Sequence, residues 1–175
     1  MNHLSHVKQE RNNVMSKMFS ILLRFFGIGS VAGIIATIPM TLFMLLMQQL
    51  LPKWQKYALP PERIATELTK RAEVGKQMNK PQQVGAALIT HFGYGSNMGM
   101  FYAPLSRRVH LPPALKGAIF GMLVWAGSYL GIAPTMKLPD AAPKQPLQRN
   151  IMMIGAHLVW GTTLGIAEDM LERAM

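Results

Sequence analysis

Four stretches of this chain carry no charged side chain: 25–52, 84–106, 117–136 and 150–167, of 28, 23, 20 and 18 residues. A helix needs about 20 mostly apolar residues to cross a hydrocarbon core of ~30 Å. A soluble helical bundle would show polar residues every turn or two along each helix. Four such runs within 175 residues leave too little polar chain to cover them in water. The sequence therefore predicts an all-α, polytopic membrane protein with four transmembrane helices.

The expected organisation is a polar tail over 1–20 and one transmembrane domain over 21–171. Its spans fall at about 21–51, 82–104, 114–136 and 148–171. The tail lacks the short apolar core and clean cleavage site of a signal peptide. In the first span, Gly29 and Gly33 form a small-xxx-small pair. Such pairs let helix backbones approach closely in lipid. Pro39, mid-span, removes one backbone donor and is expected to kink the helix. Between the first two spans, Pro60-Pro61-Glu62 opens an amphipathic loop helix within 60–75, with Ile64 and Leu68 on one face. That helix reads as a solvated element near the lipid surface, or else as a docking element for a partner.

The basic residues, which give a formal charge of +10, flank the apolar runs instead of clustering on one face. That distribution suits lipid headgroups and argues against nucleic acid as a partner. The expected partners are the lipid bilayer and a second membrane protein or copy of this chain. Lys and Arg divide nearly evenly between the two sides, so orientation rests on the basic amino tail, which resists export. Both termini are therefore expected in the cytoplasm.

The chain repeats itself. His91-Phe-Gly-Tyr94-Gly95-Ser-Asn-Met-Gly99 in the second span matches His157-Leu-Val-Trp160-Gly161-Thr-Thr-Leu-Gly165 in the fourth. The shared frame is His, two residues, an aromatic ring, Gly, three residues, Gly. Positions i, i+4 and i+8 share a helix face. So His91, Gly95 and Gly99 form one stripe, and His157, Gly161 and Gly165 another. Gly29-Ser30-Val-Ala-Gly33-Ile34 in the first span likewise resembles Gly127-Ser128-Tyr-Leu-Gly131-Ile132 in the third. The glycine pairs of those two spans can, however, be aligned in two ways. The chain thus reads as two helical hairpins that enter the membrane in the same direction, as parallel repeats. The two His-Gly stripes are expected to face each other inside the bundle.

Three roles suit the histidines. The first is structural: a neutral imidazole pins helix packing by a hydrogen bond. The second is a minimal solute or proton pathway through His91 and His157. The third is axial ligation of a haem b between the two parallel helices. The structural role leads, so no cofactor is expected. The chain contains no Cys, and no His-x3-His or paired-acid metal spacing occurs. The fifteen Met residues read as flexible apolar filler. Ser96, Ser128 and Thr162 have no acid–base partner nearby in sequence, so an enzyme is not expected. The acids Glu168, Asp169 and Glu172 read as a solvated helix end, with Asp169 and Arg173 spaced to pair.

Several motifs together carry a family resemblance: Thr37-Ile-Pro39-Met-Thr41, Leu59-Pro60-Pro61, His91-Phe-Gly-Tyr94-Gly95, Trp125-Ala-Gly127-Ser-Tyr129-Leu-Gly131 and His157-Leu-Val-Trp160. Across all four spans the chain resembles the YagU-like group of bacterial inner-membrane proteins. The resemblance implies an integral, multi-pass protein of the inner membrane and supplies no catalytic residue. The function expected is that of a structural or accessory membrane subunit.

Overall fold

A computed structural model describes residues 2–71, 78–136 and 141–174. Among these residues the regular structure is helical throughout, without strands. The elements are α1 (Asn2–Leu50), a 3-10 turn (Lys53–Gln55), α2 (Pro60–Arg71), α3 (Lys80–Ser106) and α4 (Pro113–Ala126). A wide π-helical turn (Gly127–Ile132), α5 (Ala133–Thr135), a second 3-10 turn (Ala142–Lys144) and α6 (Leu147–Ala174) follow.

The helix ends follow local chemistry. Asn79 caps α3 with a reciprocal pair of bonds: its side chain accepts from the Gln82 amide (3.0 Å), and the Gln82 side chain accepts from the Asn79 amide (2.9 Å). Pro113 starts α4 at a position whose N–H would have no intrahelical partner anyway. Residues 2–20, expected as a tail, are continuous with α1. Pro39 lies within α1, and the helix continues through it. Around it, the Thr37 and Thr41 hydroxyls donate to the carbonyls of Gly33 and Thr37 (2.8 and 2.7 Å). Residues 72–75 of the expected loop helix lie outside the described residues.

Three helical stretches are long and apolar enough to cross a membrane: Asn13–Leu50, Pro113–Thr135 and Leu147–Ala174. Large apolar side chains cover their outer faces, among them Ile34, Ile38, Leu42, Ile119, Leu123, Ile151 and Ile166. A surface this apolar suits lipid. α3 has the length for a crossing, at 27 residues. Its apolar run is interrupted by Thr90, His91, Ser96 and Asn97.

α3 lies along α1, and α6 along α4; α1 and α6 then pack together and join these two helix pairs, each a hairpin in the sense of two neighbouring antiparallel helices. Within each hairpin the contact is backbone on backbone. A Cβ at Gly29 would collide with the Gly99 carbonyl, and one at Gly33 with the Gly95 carbonyl. In the second hairpin, a Cβ at Gly117 would strike the Gly161 carbonyl, and one at Gly121 the His157 carbonyl. The expectation that the two His-Gly stripes face each other is therefore corrected. Each stripe packs against the glycine pair of its own hairpin, because only a bare backbone on both partners permits so close an approach. The contacts also settle the alignment of the repeats. Gly117 and Gly121 are the counterparts of Gly29 and Gly33, whereas Gly127 and Gly131 face open space.

Two polar clusters tie the ends of the bundle. At one end Arg149, 1% exposed, donates to the carbonyls of Gln55 (2.8 Å), Ala58 (3.2 Å) and Tyr57 (3.3 Å). Its guanidinium also stacks 3.8 Å from the Tyr57 ring centre. Gln55 and Tyr57 bond to Gln148 and Gln145 (3.0 and 2.6 Å), so the first loop is sewn to the start of α6. At the other end the solvated reading of the acids fails for Glu168, which is buried and accepts from the Ser106 hydroxyl (2.8 Å). Glu172 pairs with Arg107, whose guanidinium lies over the Phe25 ring. Asp169 pairs with Arg173 one turn on (2.9 Å).

Two outcomes follow. Gly161→Ala forces its helix pair apart and should cost at least the ~1–3 kcal/mol of an overpacked core. Gly93→Ala meets open space and should be neutral or gain up to ~1 kcal/mol; thermal unfolding in detergent separates the two. Arg149→Met keeps the side-chain bulk and strands three carbonyls. It should cost about 2–4 kcal/mol and expose the 52–59 loop to protease ahead of the rest of the chain.

A histidine-lined cavity as the candidate functional site

The two hairpins meet unevenly. α1 and α6 pack closely, through Ala32, Ala36, Met40 and Met44 against Met152, Met153, Ala156 and Leu164. α3 and α4 touch much less, and the space left between the halves is a cavity of about 260 Å³. The wide turn at Gly127–Ile132 contributes to it. There the Ala133 amide reaches back five residues to the Ser128 carbonyl, and Ser128, Tyr129 and Ile132 are set along the wall. Such turns recur at functional sites. α2 folds back over α3 with Pro60 and Ala65 buried, and its Pro61 and Ile64 close one end of the cavity. It is thus packed on the bundle and not a free solvated helix.

Of the residues singled out by sequence, His91, Tyr94, Gly95, His157 and Trp160 line this cavity. The two histidines come from different hairpins and share one space. Gly29, Gly33, Gly99, Gly161, Gly165 and Pro39 do not line it; the five glycines form the helix contacts described above. Sequence reasoning missed Thr37, Thr90, Ser128 and Tyr129. Thr37, Ser128 and Tyr129 lie inside the quoted family motifs, but nothing in the spacing showed that they converge.

The polar groups are individually placed. His157 Nδ1 lies 2.8 Å from the Met153 carbonyl. A carbonyl only accepts, so the proton is on Nδ1, and Nε2 of the neutral ring is a hydrogen-bond acceptor. The Tyr129 ring meets His157 edge-on at 5.7 Å. His91 Nε2 is buried and has no partner among the described residues. Trp160 donates to the Thr37 hydroxyl (3.3 Å). Across the gap between the halves, the Tyr94 and Ser128 hydroxyls bond at 2.7 Å.

The cavity has a floor and a mouth. Trp160, Phe120 and Tyr102 form a continuous aromatic layer, with ring centres 6.2 and 5.1 Å apart, between the cavity and the Glu168 end. On the opposite flank, lining residues of α3 and of the turn region through α5 to Met136 are exposed: Thr90, Tyr94, Ile132 and Met136. The lining includes no Asp, Glu, Lys or Arg. Among the described residues, no three His, Cys, Asp or Glu side chains gather as a metal site would require. A porphyrin, with roughly twenty-four ring atoms before its substituents, exceeds the roughly ten heavy atoms that about 260 Å³ holds on the scale of a ~150 Å³ benzene site. The haem alternative is set aside on that ground.

No curated protein and no solved structure matches the chain. A family profile does match, over residues 48–166, from the end of α1 through most of α6 and including every cavity-lining residue after Met40. The chain therefore belongs to the family described as "Protein of unknown function (DUF1440)".

Proposed function

We propose that this chain is an integral membrane protein of four crossings, an accessory component without chemistry of its own. Its working part is a pocket that holds a small lipophilic molecule. One observation carries this reading: histidines from the two hairpins line a single cavity that has an aromatic floor and a lateral mouth. Among the described residues, neither histidine is hydrogen-bonded to a lining hydroxyl: Ser128 bonds to Tyr94, Thr37 accepts from Trp160, and His157 bonds to the Met153 carbonyl, which supports binding over catalysis.

The fourth crossing is α3. Its glycines lie against α1 at Gly29 and Gly33, so α3 goes where α1 goes. Its 27 residues rise about 40 Å at 1.5 Å each, enough for the ~30 Å core. The two hairpins then run in the same direction, and both termini share one side, which we place in the cytoplasm. Resemblance to the YagU-like group supports the inner membrane as the location. A solute or proton pathway through His91 and His157 is the second reading. The aromatic floor counts against it, because the cavity ends at Trp160 instead of continuing towards Glu168.

The absence of native Cys makes single-cysteine mapping direct. Thr66→Cys and His110→Cys should react with impermeant reagent from opposite sides of the membrane; reaction from one side would remove the four-crossing topology. Proteoliposomes of the wild-type chain should leak protons no faster than protein-free vesicles. A leak that vanishes in the His91→Ala, His157→Ala double variant would replace the pocket with a pathway.

A further inference from the structure

The cavity's chemistry specifies its occupant more narrowly than lipophilic. No charged side chain lines it, so an ionic ligand would lose its hydration without recompense. Most of the wall is apolar or aromatic: Met40, Val124, Tyr129, Met153 and Trp160. Against that wall stand two imidazoles: His91 Nε2 is buried with no partner among the described residues, and His157, with Nδ1 bonded to the Met153 carbonyl, offers Nε2 as an acceptor. A buried polar atom left without its bond costs about 1–3 kcal/mol, which a suitable ligand would recover. Size sets the other limit. A cavity of ~150 Å³ holds benzene, so about 260 Å³ corresponds to roughly ten heavy atoms on the same scale.

Entry is built into the same region. The mouth lies between α3 and the wide turn, where the hairpins have few contacts, and the Tyr94–Ser128 hydrogen bond crosses it. The flanking Ile132 and Leu130 are exposed and apolar. In a membrane this mouth opens sideways, to the acyl chains and not to water.

Resting on the pocket reading above, we infer that the site takes a neutral, compact aromatic or alicyclic alcohol, of the size and polarity of a small alkylphenol. The ligand enters from the lipid past Tyr94 and Ser128 and donates its hydroxyl proton to one of the two histidines. The apolar body fills the space beside Trp160, and one donor satisfies what the wall leaves open. An acid or an amine of the same size would be excluded in its charged form.

Isothermal titration of the chain in nanodiscs, against empty nanodiscs, tests this with 4-propylphenol and 4-propyltoluene. The two have the same shape and differ by a hydroxyl against a methyl. The phenol should bind saturably, one per chain, and about tenfold more tightly than the toluene, the scale of one hydrogen bond. His91→Leu or His157→Leu should remove that preference while leaving toluene binding in place. Val124→Trp, which fills the cavity, should abolish both. Equal binding of the two probes by the wild type would overturn the hydroxyl-to-histidine assignment while leaving the pocket. Saturable binding of neither probe would overturn the pocket itself, and undiminished binding by Val124→Trp would place the binding elsewhere. The wild-type comparison stands even where a histidine variant does not fold.

Discussion

The structure depends on bare backbone meeting bare backbone. Helices that carry large apolar side chains on their outer faces, as these do, are positioned by close packing and polar contacts. Here that packing is set at two matched crossings, Gly29 and Gly33 on Gly95 and Gly99, and Gly117 and Gly121 on Gly161 and Gly165. The approach is so close that a Cβ at any of these glycines except Gly95 would overlap a carbonyl across the contact, and one at Gly95 would overlap the Thr37 hydroxyl. Each of these contacts makes one closely packed helix pair. The cavity is what remains when two such pairs are joined along one side only, by α1 and α6.

The join itself is of ordinary kind. Small and flexible apolar side chains (Ala32, Ala36, Met40, Met44) fit against Met152, Met153 and Ala156. Met suits such irregular seams because its unbranched chain adapts to its neighbours. Because this seam lies at α1 and α6, the opposite flank splays. The His-bearing faces of α3 and α6 then look onto a shared space and meet only towards the Glu168 end, where Tyr102 lies against Gly165 and Ser106 bonds to Glu168. The wide turn at Gly127–Ile132 enlarges that space at the level of the histidines. Tyr94 and Ser128 bridge it by a single hydrogen bond between two part-exposed groups, a contact of modest strength.

Polar clusters at the two ends fix the hairpins relative to each other. The cage of Gln55, Tyr57 and Ala58 around Arg149 binds the first loop to the second hairpin. Ser106 on α3, bonded to Glu168 on α6, does the same at the far end. Lys116 donates to the Ser106 carbonyl (3.2 Å), which brings α4 into the same cluster. Both clusters lie beyond the cavity, one on each side, so the space between the hairpins is held open from both ends. α2 completes the enclosure: its Ile64 faces the cavity.

The sequence by itself determined the class of the protein and the parts of its packing. Uncharged apolar runs of 18 to 28 residues are longer than strands usually are and so pointed to helices. The spacing of Gly29 with Gly33 and of Gly95 with Gly99 marked faces meant for close approach, because helical periodicity is local and readable. The repeated His frame pointed to the two side chains that share the cavity. Only the tertiary structure decided which glycine face meets which. Any bare stripe can accept any other, and the choice depends on the order and tilt of whole helices. The same limit hid Thr37, Ser128 and Tyr129, which reach the site from other helices, and it misjudged Glu168. An acid near a helix end reads as solvated until the neighbouring Ser106 is seen. Spacing along one helix reports which residues share a face; what that face meets is set by the packing of the whole bundle.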